Sequence, residues 1–159
     1  MKVAIISDSH GRIDRLKEAL KLCKAKGVPN IVHAGDFAVN GVVKTLSQFS
    51  EINIKIALGN ADVDNDIVNA VKNLKNVEIA QKLQFSLDNI NFFVTHKPED
   101  LDIYEHPEVD IFIHGHTHLP KFEKLEAQIV INPGALLREP KFLIFDTETK
   151  KLEMAVLNK

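Results

Sequence analysis

Two periodicities divide the chain. In its first half, short apolar runs alternate with stretches of helical spacing. Residues 2–7 form a β-branched apolar run that breaks at Asp8-Ser9-His10-Gly11, after which Leu16, Ala19, Leu20 and Cys23 recur at helical spacing until Gly27 and Pro29. Residues 31–34 make the next strand, which stops at Gly35-Asp36, and Val43, Leu46 and Phe49 share one face of a short helix over 42–49. Ile52, Ile54, Ile56 and Leu58 alternate with Asn53, Lys55 and Ala57 in a strand that ends at Gly59-Asn60. Ile67, Val68, Val71 and Leu74 define a third amphipathic helix. From there the texture becomes that of strands: 77–79, 84–87, a turn at Asp88-Asn89, then 90–95. A loop over 97–107, with a helical turn around 101–104, leads to the run Ile111-Phe112-Ile113-His114-Gly115-His116-Thr117-His118. Strands over 121–125, 128–131, 141–145 and 151–157 complete the pattern. A βαβαβα start followed by mostly β predicts an α/β fold, a four-layer αββα sandwich of two mixed β-sheets face to face with helices outside.

Composition narrows the functional classes. A chain of 159 residues, 45% hydrophobic, fits one domain over 1–159 with a core of useful size. The 20 basic and 22 acidic residues are mixed along the chain for a net charge of -2, which leaves no electrostatic footprint for nucleic acid or an anionic membrane. The first apolar run follows one lysine and is cut off at Asp8, so a signal peptide or membrane span is not expected and a cytoplasmic location is. Cys23 is the only cysteine and falls on an apolar helix face, the place of a small buried hydrophobe. It excludes a disulfide framework and a thiolate zinc cluster, so any metal site must use nitrogen and oxygen.

The residues at the strand ends carry the chemistry. They are Asp8 and His10, Asp36, Asn60, His96, then His116 and His118. Taken singly, an Asp-x-His is more often a cap and a Gly-Asp or Gly-Asn a turn. Five strand ends supplying seven oxygen or nitrogen donors are harder to explain that way, because ligands of open α/β sheets bind at the carboxyl ends of strands. Seven donors exceed one tetrahedral ion and suit two divalent transition metal ions sharing a carboxylate.

In order, Asp8-Ser9-His10, Gly35-Asp36, Gly59-Asn60, Thr95-His96 and Gly115-His116-Thr117-His118 resemble the motifs of the calcineurin-like metallophosphoesterase superfamily, over roughly residues 3–145. The length and Asn132-Pro133-Gly134 look most like its small, stand-alone bacterial and archaeal phosphodiesterases. By that resemblance Asp8, His10 and His118 would bind the first metal, Asn60, His96 and His116 the second, and Asp36 would bridge both, with Asp36, Asn60 and Asp62 forming the catalytic group. Manganese is the first metal to try, and iron, cobalt, nickel or zinc suit the same ligands. Two ions roughly 3.5–4 Å apart would lower the pKa of a bridging water, and the resulting hydroxide would attack the phosphorus of a small phosphodiester.

Two departures matter. Many relatives read Gly-Asn-His-Asp or Gly-Asn-His-Glu, whereas this chain has Gly59-Asn60-Ala61-Asp62, and Ala61 cannot protonate a leaving group. Lys97-Pro98 follows His96 where relatives usually have Gly-His, which makes Lys97 a candidate substrate contact. His33 is a candidate to hydrogen-bond a ligand residue, His114 should point away from its neighbours by strand alternation, and His106 could approach substrate. Asn132-Pro133-Gly134 reads as a turn supporting the pocket floor. Alternative readings are a protein-binding scaffold of the same fold, of the kind one retromer subunit represents, and hydrolysis of phosphomonoesters or dinucleotides on the same metals. A sheet edge could supply a homodimer.

Overall fold

The computed structural model describes residues 1–157. Eleven strands and three α-helices follow one another as β1 (Lys2–Ile6), α1 (Ile13–Ala25), β2 (Asn30–His33), α2 (Val42–Ser47), β3 (Asn53–Ala57), α3 (Asn65–Lys72), β4 (Val77–Ala80), β5 (Leu83–Leu87), β6 (Ile90–Val94), β7 (Ile111–Ile113), β8 (Lys121–Leu125), β9 (Gln128–Asn132), β10 (Lys141–Asp146) and β11 (Lys151–Val156). They form two sheets, ordered β11-β10-β1-β2-β3-β4 and β5-β6-β7-β9-β8. β1 to β4 run parallel, joined through α1, α2 and α3, and β10 joins antiparallel to β1. In the second sheet β6, β7 and β9 are parallel, flanked by antiparallel β5 and β8.

β1 shows why its sequence is apolar on both faces. Val3 and Ile5 join Val32, Ala34, Phe92, Val94, Ile111, Ile113, Ile131 and Phe145 in the layer between the sheets. Ala4 and Ile6 point the other way, into a core with Leu16, Leu20, Phe37, Leu46, Val71 and Phe142 beneath the helices. Burial on both sides turns the period-2 strand into a continuous apolar run. Phe92 centres the inter-sheet layer, stacked on Phe85 at 5.1 Å and edge-on to Phe145 at 6.2 Å.

Helix α3 is capped by the Asp64 carboxylate, which accepts from the Asp66 and Ile67 N–H groups at 3.1 Å. The Asp88-Asn89 hairpin holds both residues at positive φ, 49° and 61°, the conformation a two-residue hairpin turn requires. The outer layer of the second sheet is thin. Instead of one helical turn over 101–104, two 3-10 turns, Pro98–Asp100 and Ile103–Glu105, flank Leu101, the apolar anchor that pins this loop onto Phe93, Phe112 and Val130. No helix among the described residues is long and apolar enough to cross a membrane.

Candidate metal centre at the strand ends

Because β1, β2 and β3 are parallel neighbours, Asp8, Asp36 and Asn60 emerge at the same edge of the first sheet. The parallel pair β6 and β7 brings His96 and the His116–His118 segment to the matching edge of the second. All seven donors meet there.

Each carboxylate is held by one oxygen and presents the other. Asp8 Oδ2 accepts from Ser7 Oγ at 2.6 Å and from the His116 N–H at 3.1 Å, while Oδ1 faces His118 Nε2 at 3.2 Å and His10 Nε2 at 3.9 Å. Asp36 Oδ1 accepts from the Ala61 N–H at 2.8 Å, and Oδ2 lies 3.5 Å from His10 Nε2 and 3.3 Å from His96 Nε2. Asp36 Oδ2 is thus the atom between the two halves of the cluster, and only that oxygen of Asp36 faces it. On the far side Asn60 Oδ1 is 2.9 Å from both His96 Nε2 and His116 Nδ1. The backbone carbonyl of Ala34, 2.7 Å from His96 Nδ1, accepts that ring proton and leaves the Nε2 lone pair for the cluster.

Electrostatics favour positive charge here. Burial alone would raise the Asp36 carboxyl, but His96 and the Ala61 N–H outweigh it and hold the group below its ordinary value. Burial would likewise lower His96, yet Asp36 and the Ala34 carbonyl outweigh it and its imidazole titrates above the usual range. Asp8 Oδ1 and His10 Nε2 are buried without a hydrogen-bond partner among the described residues. Buried polar atoms are ordinarily paired, so orphans at the edges of two ligand-type triads, Asp8-His10-His118 and Asp8-Asp36-His96, mark a place suited to a bound metal. The all-nitrogen-and-oxygen donor set fits divalent transition metals.

The backbone is strained to make this arrangement. Asp8, His10, Asp36, His116 and His118 all have positive φ, between 43° and 65°. Such non-glycine conformations are uncommon and gather at functional sites. The glycines ahead of the ligands serve a different need, close approach: a Cβ at Gly59 would lie 2.1 Å from Asp36 Oδ1, and one at Gly115 would lie 1.9 Å from Ser7 Oγ.

The remaining candidates divide: Asp62, Lys97 and Asn132 adjoin the cluster, His33 bonds Ser9 instead of a ligand residue, and His106 lies elsewhere. The Asp62 carboxylate is occupied by four backbone N–H groups: Oδ2 accepts from Asp36 and Gly59, Oδ1 from Phe37 and Ala38, all at 2.7–2.9 Å. His33 is buried with Nε2 2.9 Å from the Ser9 hydroxyl, between Asp8 and His10 in sequence, and burial pushes its pKa down to about 4. Lys97 lines a cleft of about 400 Å³ beside Asn60 and His96. Asn132 Nδ2 donates to the Gly115 carbonyl and the Thr117 hydroxyl, both at 2.9 Å, so the Asn-Pro-Gly turn supports the histidine loop. His114 is buried against the Gly115 carbonyl. His106 stacks on Phe93 at 4.4 Å, under the outer loop of the second sheet, and does not line the cleft.

Three participants were not singled out by sequence. Ser7 is the polar last residue of a buried apolar run, a signal that could have marked it. Ser9 bonds His33. Lys82 comes from the β4–β5 turn and lines the same cleft as Lys97, its Nζ bound to Asp102 at 2.8 Å and to the Asp100 carbonyl at 3.0 Å.

Known proteins agree with this fold. The chain belongs to the calcineurin-like phosphoesterase superfamily, whose domain model matches residues 1–150, and hence to the metal-dependent phosphoric ester hydrolases. A phosphodiesterase of Methanocaldococcus jannaschii is 29% identical over 168 residues, covering 99% of each chain. A solved archaeal phosphodiesterase superposes with a TM-score of 0.86 at 29% identity, covering 99% of this chain and 100% of the other. A single mutant of Vps29 from Entamoeba histolytica, covering 99% and 100%, shares the fold with a TM-score of 0.69 at 17% identity.

Proposed function

We propose that the protein is a dinuclear metal-dependent phosphodiesterase. The observation that carries this reading is the pair of carboxylates, each tethered through one oxygen with the other aimed at facing imidazoles. Asp8 Oδ1, His10 and His118 would hold one ion, Asn60, His96 and His116 the other, and Asp36 Oδ2, between the His10 and His96 nitrogens, would serve both. When bound, two divalent ions lower the pKa of a bound water towards neutrality and draw charge from the phosphoryl oxygens. Manganese is the first ion to test.

The chain's own groups do the positioning. The Ala34 carbonyl fixes the His96 tautomer, Ser7 and the His116 N–H orient Asp8, and the Ala61 N–H orients Asp36. Asp62 acts on the site by clamping the loops of Asp36 and Asn60 together rather than by touching substrate. Asn60 is neutral, so two cations against two carboxylates keep an excess of positive charge for an anionic ester. Ala61 offers no proton to a leaving oxygen, which favours diesters whose leaving group departs as a stable anion. The cleft walled by Gln81, Lys82 and Lys97 would receive the rest of a small substrate, with Lys97 contacting its anionic part. The mixed distribution of 20 basic and 22 acidic residues, without a basic patch for nucleic acid, supports a small ester.

The test is hydrolysis of bis-p-nitrophenyl phosphate by metal-stripped protein refilled with manganese, beside p-nitrophenyl phosphate and Asp36→Ala. The diester should turn over faster than the monoester, only with metal, and Asp36→Ala should lose about a thousandfold or more. Faster monoester turnover would move the assignment to a phosphomonoesterase. Metal binding without hydrolysis of either ester would favour the scaffold.

A further inference from the structure

One edge of the second sheet carries exposed apolar residues that the site does not use. β8 pairs with β9 alone among the described residues, so its other side presents free N–H and C=O groups. Within β8, Glu123 lies opposite Val130 and therefore on the outer face with Lys121 and Leu125, while Phe122 lies opposite Ile131 on the face between the sheets. Phe122 is nonetheless 58% exposed, and Leu119, just ahead of the strand, is 64% exposed. On the outer face Leu125 joins Ile103 and the fully exposed Tyr104 along a groove of about 690 Å³. Large exposed apolar side chains gathered at one place mark an interaction surface.

The strand's own sequence indicates which partner fits it. Antiparallel pairing of two copies about a two-fold axis perpendicular to the sheet keeps each face with itself, so odd-numbered residues meet odd and even meet even. Centring the axis on Glu123 sets two carboxylates against each other, and centring it on Lys124 sets two ammonium groups together and Phe122 against Glu126. Centring it on Phe122 is complementary throughout: Phe122 meets Phe122 of the second copy, Lys121 meets Glu123 on both sides of the axis, and in continued pairing Leu119 meets Leu125. Lys121 and Glu123 pair within one chain at 2.6 Å, both substantially exposed. An exposed pair of this kind contributes little, so exchanging it across an interface costs little.

We propose that the protein is a homodimer in which β8 pairs antiparallel with β8 of a second copy about an axis at Phe122, joining the two five-stranded sheets into one. Leu119 then rests beside the mouth of the groove on the other copy, and the pairing begins three residues after His118, bracing the chain that leaves the metal site. Sedimentation equilibrium and light scattering on the full chain at about 1–100 μM test this. The wild type should run at twice the chain mass. Lys121→Glu opposes like charges at both ends of the pairing and should weaken association about tenfold or more, and adding Glu123→Lys to the same chain should restore it. Circular dichroism melts of both variants verify that each is folded. A monomeric wild type, a dimer indifferent to Lys121→Glu, or a double variant that stays dissociated would each overturn the proposal.

Discussion

The layer between the sheets and the cluster at the strand ends are built from the same strands a few residues apart, and they obey opposite rules. Ile5 leads to Asp8, Ala34 to Asp36, Val94 to His96 and Ile113 to His116. On the inner side of each step the side chain is apolar, buried and consistent with its strand. On the outer side five ligand-type residues sit at positive φ, three buried polar atoms, Asp8 Oδ1, His10 Nε2 and His33 Nδ1, lack partners among the described residues, and Gly35, Gly59 and Gly115 are kept by atoms that would collide with a Cβ. Agreement between local preference and global structure is what folding selects, and departures from it accumulate where a ligand is to be held. The core supplies the stability that the cluster consumes.

The contrast can be broken most severely from the core side. Phe92→Ala removes the aromatic centre of the inter-sheet layer and should lower stability by about 3–5 kcal/mol, read from denaturant midpoints of metal-free protein. Next in size is acid. The unfolded His33 imidazole binds a proton near pH 6.5 but the folded one only near 4, so the unfolded state binds more protons between those values. The His33 contribution should be intact above about pH 6.5, fall as pH drops towards 4 and level off below, a loss of about 3 kcal/mol in metal-free protein, with further loss at lower pH as the Asp36 carboxylate is protonated. His33→Gln, which keeps a polar atom near Ser9, should flatten that slope. The smallest effect has the opposite sign. His116 is exposed with φ 65°, so His116→Gly should raise the stability of the metal-free protein by about 0.5–1 kcal/mol while diminishing the stabilisation that manganese confers.

How much of this could be read from sequence follows the same division. β1 and β2 were legible because burial on both faces left uninterrupted β-branched runs, β3 because its isoleucines alternate with less buried residues, and the hairpin because Asp88-Asn89 suits positive φ. The donors were legible as residue types at strand ends. Their division of labour was not: that one oxygen of each carboxylate is tethered depends on Ser7, on the Ala61 N–H and on the His116 N–H, groups brought in by the fold and invisible to periodicity. The glycines read as ordinary turns, because the atoms that forbid a Cβ there come from other strands. Lys82 lay in a turn without a motif and entered the cleft only through the pairing of β3 with β4. The thin outer layer depended on Leu101 alone, too small a signal to predict two 3-10 turns.

The Asp62 clamp has a consequence for how this site can drift. Its four partners are main-chain amides of Asp36, Phe37, Ala38 and Gly59, so the clamp itself makes no demand on the side chains at positions 37 and 38. One carboxylate locks two loops through atoms that every residue except proline possesses. Of those four positions only 38 is left open by the rest of the fold, since Phe37 is held by the core, Gly59 by its close approach to Asp36 and Asp36 by the cluster itself, so the loops are locked by a backbone contact and their identities by other neighbours.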